Sequence, residues 1–130
     1  MIKTVLISTF ILIAAAMSNS AYSADVIGIW TKTTHPDPEN MTIIYREDND
    51  VKAIGFGQIG GTKAVWYAVG EFSGYPLRLY YHYSAETIPH EWEQEGTMIL
   101  DLSQDGNTLS GKAISASGNW SGSLIFKRIK

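Results

Sequence analysis

The chain contains no cysteine, and that one absence removes disulfides, thiolate nucleophiles and cysteine-based metal sites together. Whatever fold it adopts must be held by burial and backbone pairing. Proline is scarce, at 4 residues in 130, and Pro36 and Pro38 share one short stretch. There is no basic run either: Lys and Arg total 10 against 13 Asp and Glu, for a formal charge of -3. A mildly acidic chain without a cationic stripe is a poor partner for nucleic acid or an anionic membrane. The one basic group, Lys127, Arg128 and Lys130, falls at the very end. No window carries a helical period. No G-x-S-x-G elbow occurs, and Gly55-x-Gly57 and Gly60-Gly61 precede a strand pattern where a phosphate loop would precede a helix.

What is present begins with an address. Lys3 is followed by an apolar run from Val5 to Met17, broken by Ser8 and Thr9, and then by small and polar residues through Ala24. That order is the signature of a secretory signal peptide. The apolar run is shorter than the about 20 residues a membrane helix needs. Ala21 and Ser23 satisfy the small-x-small rule, so residues 1–23 are expected to be cleaved and residues 24–130 to form a single domain with no membrane span. No cysteine adjoins the cut, so no lipid anchor is expected. An exported protein without cysteine points to a bacterial periplasmic or secreted product.

Strand signals fill the rest at the short spacing of an all-β protein. They run from Val26 to about Thr33, Met41 to Arg46, Val51 to about Ile59 and Ala64 to Phe72, then Leu77 to Tyr83, Gly96 to Ser103, Thr108 to Ile114 and Trp120 to about Arg128. The connections carry turn chemistry, with His35 to Asn40 around two prolines, Gly60-Gly61, and Gln104-Asp105-Gly106-Asn107. Ser84 to Glu95 is the longest connection. Eight strands joined by short hairpins predict an antiparallel up-and-down barrel, in which closure removes exposed edges. A flattened two-sheet sandwich is the alternative.

The two ends of the chain resemble those of the calycins, the superfamily of lipocalins, fatty-acid-binding proteins and avidins. The resemblance rests on Gly28-x-Trp30, the Asn40-Met41-Thr42-Ile43 run and the terminal Phe126-Lys127-Arg128, and the nearest flavour is avidin-like. It implies that Trp30 packs against Arg128 across a barrel end, a guanidinium on an indole face, with Gly28 allowing the corner. It does not extend to the middle of the chain. Lys32 stands where the avidin pattern carries a biotin-binding asparagine, so biotin binding is not carried over.

Three constellations offer chemistry. His82, His90 and a glutamate have the right groups for zinc but no fixed spacing, and a solvated acidic rim is the better reading of Glu91, Glu93 and Glu95. If residues 90–95 are extended, those three glutamates share one face. His90 and Glu91, as neighbours on such a strand, point apart and form no acid–base pair. The third is a wall of rings: Trp66, Tyr67, Tyr75, Tyr81, Tyr83, Trp92 and Trp120 are many for one small domain. They suit an apolar pocket at a barrel mouth and equally a barrel that fills itself.

The expected function is binding, with no enzyme activity, no cofactor and no metal. A small apolar or aromatic ligand is expected at the mouth on Trp66, Tyr81, Tyr83 and Trp92. The alternative is a periplasmic inhibitor or immunity-type module that docks an envelope or secreted protein on a filled barrel. Mass spectrometry of the exported protein is expected to find Ala24 as its first residue, and a chain beginning at Met1 would contradict the leader.

Overall fold

Alternation of side chains along each strand sorts this sequence into an inner and an outer surface. In the computed structural model, which describes residues 26–33, 40–59 and 62–130, that sorting closes into a barrel. The strands are β1 (Gly28–Lys32), β2 (Met41–Glu47), β3 (Asp50–Ile59), β4 (Thr62–Glu71), β5 (Leu77–Tyr83), β6 (Glu95–Leu102), β7 (Thr108–Ser115) and β8 (Ser121–Arg128). Each pairs antiparallel with its neighbour in sequence, and β1 pairs with β8 to complete the circuit. The protein is an all-β, eight-stranded, antiparallel up-and-down barrel.

Boundaries differ from the sequence pattern by a residue or two. Val26 and Ile27 precede β1, Glu95 already belongs to β6, and Trp120 stands just before β8. The long fifth connection includes one 3-10 turn, Ala85–Thr87, which Thr87 pins by accepting from the Val65 amide through Oγ1 at 3.2 Å and donating to the Ser84 carbonyl at 2.8 Å. The leader, the turn at His35 to Glu39 and the Gly60-Gly61 turn lie outside the described residues.

The inner surface is apolar and close-packed along most of its length. Leu77 and Leu79 of β5, Leu100 of β6, Leu109 of β7 and Val51 of β3 are each at most 1% exposed. The barrel end where β1 begins and β8 finishes is closed by one tryptophan. Trp30 is fully buried, and its indole N–H donates to the Val26 carbonyl at 3.1 Å. Trp30 and Arg128 face each other across the β1–β8 pair. The guanidinium carbon lies 4.3 Å from the indole centroid, a stacking distance for a cation on a π face. Arg128 Nε donates to the Gly106 carbonyl at 2.8 Å and its Nη1 to the Ile27 carbonyl at 2.9 Å. One side chain thereby ties the β6–β7 turn and the entry to β1 onto the plug. Gly28 is required beside it, since a side chain there would strike the Lys130 carbonyl and the guanidinium itself.

Trp30→Ala is expected to lower the unfolding free energy by about 3–5 kcal/mol. Arg128→Met should lower it by about 1–3 kcal/mol, because a charged donor is lost from two carbonyls. Urea denaturation of both single variants and the double variant checks this, with a coupling of about 0.5–2 kcal/mol expected for the stacked pair.

Candidate functional site

The opposite end of the barrel is built differently. There β1 ends, β2 begins, and the connections β5–β6 and β7–β8 rise around the opening. Large rings replace the aliphatic core. Trp66 of β4 pairs in register with Gly55 of β3, and its indole lies where any side chain on Gly55 would have to go. Tyr81 of β5 is opposite Gly96 of β6 in the same way. The absence of side chains on the inner face lets each ring lie down across a neighbouring strand.

Between these rings is a cavity of about 40 Å³, lined by Trp66, Tyr81, Tyr83 and Trp120 on its aromatic side and by Lys32, Asn40 and Thr42 on its polar side. A water molecule needs about 10–15 Å³ of such space, so the enclosed part admits about three water-sized atoms. Pockets for drug-sized molecules run to about 300–1,000 Å³. The cavity is therefore a small hole beneath an aromatic rim.

Of the four residues expected to form a site, Trp66, Tyr81 and Tyr83 line this cavity. Trp92 stands behind them, its ring centroid 6.0 Å from that of Tyr83. Tyr81 and Tyr83 meet edge to face at 5.5 Å. Two further candidate rings lie elsewhere: Tyr67 is on the outer wall at 54% exposure, and Tyr75 packs edge-on against Phe72 beyond the end of β4. Lys32, Asn40 and Thr42 were not singled out from sequence as site residues. The parity that places Trp30 inside also places Lys32 inside, and that step would have found it.

Residues 90–95 are not extended throughout: the segment turns and only Glu95 enters a strand, so the three glutamates share no strand face, and all three are exposed. Glu93 instead reaches the β7–β8 turn, where it accepts from the Ser117 amide at 2.9 Å and the Ser117 hydroxyl at 2.7 Å. Hydrogen bonds from Ser115 and Ser117 hold its carboxyl below the usual carboxylate range. Glu95 goes to the outer surface, 3.1 Å from His82 Nδ1. Gln94 Nε2 is 2.9 Å from His82 Nε2, so an amide N–H donated there leaves the imidazole proton on Nδ1, facing Glu95. His82 is thus occupied by Gln94 and Glu95, and among the described residues no three His, Asp or Glu side chains gather as metal ligands.

Burial sets the electrostatics of the mouth. It pushes the Tyr83 hydroxyl up and the Lys32 ammonium down. Tyr81 is pushed up to about 12 by burial first, then by the nearby Tyr83 and Glu93.

The unfolded chain ionises a tyrosine near 10, whereas the fold holds the Tyr81 proton to about 12. Stability is therefore full below pH 10 and falls as pH rises toward 12. Tyr81→Phe is expected to flatten that part of the curve, as read by denaturant melts across the range. Comparison with known proteins returns no match to a family model, a curated protein or a solved structure.

Proposed function

We propose that this protein is an exported, calycin-like barrel of the periplasm or extracellular space that holds a small apolar or aromatic ligand at its mouth. The observation that carries the reading is asymmetry between the ends. One end is sealed by Trp30 under Arg128. At the other, Trp66, Tyr81 and Tyr83 converge on a cavity. Flat rings around a water-accessible hole present polarizable surface to a flat partner. The enclosed volume suits one small group of a ligand, with the remainder of the ligand resting against the rim.

A second reading has its own support. Outward-facing Ile43 of β2 pairs with Ile54 of β3, which pairs with Tyr67 of β4, and Tyr80 of β5 continues the patch. These four are 40%, 45%, 54% and 61% exposed. Adjacent exposed apolar groups of this kind suit a protein partner, as in the inhibitor or immunity-type reading.

The test for the ligand reading is titration with a neutral naphthalene probe, read by calorimetry and by quenching of tryptophan emission. Saturable binding to the unchanged protein, weakened at least about tenfold in Trp66→Ala through lost ring contact, is the expected result. An unchanged emission with no heat would leave the protein-binding reading.

A further inference from the structure

We infer that the polar corner of the mouth, Lys32 with Asn40 and Thr42, receives the carboxylate of a small monoacid whose flat apolar body rests on Trp66, Tyr83 and Trp120. This rests on the ligand reading above and names the chemical class.

The corner is a product of register. Trp30 of β1 pairs with Thr42 of β2, and on its other side Lys32 pairs with Phe126 of β8. Two residues past the plug, with the same inward parity, the Lys32 stem therefore leaves the wall among apolar neighbours and lines the cavity. Asn40 and Thr42 are buried beside it, at 7% and 3% exposure. Thr31 Oγ1 donates to the Asn40 carbonyl at 3.1 Å and fixes the adjoining backbone.

Among the described residues, Lys32 has no ion-pair partner. Ion pairs among those residues include Lys52 with Glu47 and His82 with Glu95. The apolar wall strips part of the hydration of this cation, and an anionic ligand would supply the counter-charge that it lacks among the described residues. Size agrees. About three water-sized atoms fit the 40 Å³ cavity, which matches the carbon and two oxygens of a carboxylate and leaves the body of the acid outside.

Charge is segregated across the opening. Glu93 acts on Tyr81, on the β5–β7 side, and is engaged there by Ser115 and Ser117. Among the described residues, burial is the one influence that shifts Lys32, on the β1–β2 side. An acid with its head toward Lys32 therefore keeps its charge away from the Glu93 side, and its body meets the rings between.

Calorimetry with phenylacetate, phenylacetamide and hexanoate tests this on the full mature chain. Phenylacetate is expected to bind at least about tenfold tighter than its neutral amide, the gain typical of a charged hydrogen bond, and tighter than hexanoate. Lys32→Met should erase the acid–amide gap, and Lys32→Arg should retain it. Equal binding of acid and amide to the unchanged protein overturns the carboxylate site but leaves the pocket. A gap that persists in Lys32→Met overturns the assignment to this lysine. Hexanoate binding as tightly as phenylacetate overturns the flat body. If neither aromatic compound binds, this inference and the ligand reading fall together. The acid–amide comparison on the unchanged protein does not depend on any variant folding.

Discussion

Everything in this molecule depends on the contact between the first strand and the last. An eight-stranded meander is an open sheet until β1 and β8 meet, and an open sheet offers two edges to any other chain. Backbone pairing alone closes it over a short length, since β1 has only 5 residues. The Trp30–Arg128 stack adds a contact that cannot form unless both strands are in register. Because Arg128 also holds the Ile27 and Gly106 carbonyls, closing the sheet and capping its end are one event. In a chain without cysteine, this side chain does what a cross-link does elsewhere.

Sealing one end determines what the other can be. Inward positions near the plug carry leucine, valine and alanine, which interlock and leave no room. Toward the mouth the same positions carry glycine alternating with tryptophan and tyrosine. Rings of that size cannot all point at the axis of so narrow a barrel, so they lie against the walls. The space they leave is small, and it is bordered on one side by the polar ends of β1 and β2.

Much of this was legible in the sequence, for physical reasons. Strict alternation in Leu77, Leu79, Tyr81 and Tyr83 leaves no choice of inner face, and Asp105-Gly106-Asn107 marks its hairpin by turn chemistry alone. The closing pair could be read because a tryptophan and an arginine at opposite ends of a meander have one way to meet. The site was less legible. Trp66, Tyr81 and Tyr83 follow from parity, but Trp92 lies in an irregular loop, where period-two reasoning has no purchase. For the same reason the glutamates at 91, 93 and 95 have no shared face: an acidic alternation gives one only if the backbone is extended, and here it turns, with Glu93 accepting from Ser117. Lys32 was read from sequence as a departure from the avidin pattern, although its parity with Trp30 places it on the inner side.

The pairing of rings with glycines separates two properties that usually travel together. The rings of Trp66 and Tyr81 stand on β4 and β5, whereas the absence of side chains that lets them lie flat is encoded on β3 and β6, at Gly55 and Gly96. A single methyl group added on the neighbouring strand would lift a ring and reshape the opening without altering any wall residue. The shape of the opening can therefore change while the chemistry of its lining stays constant. Divergence of specificity in such a scaffold would be recorded at small residues that never meet the ligand.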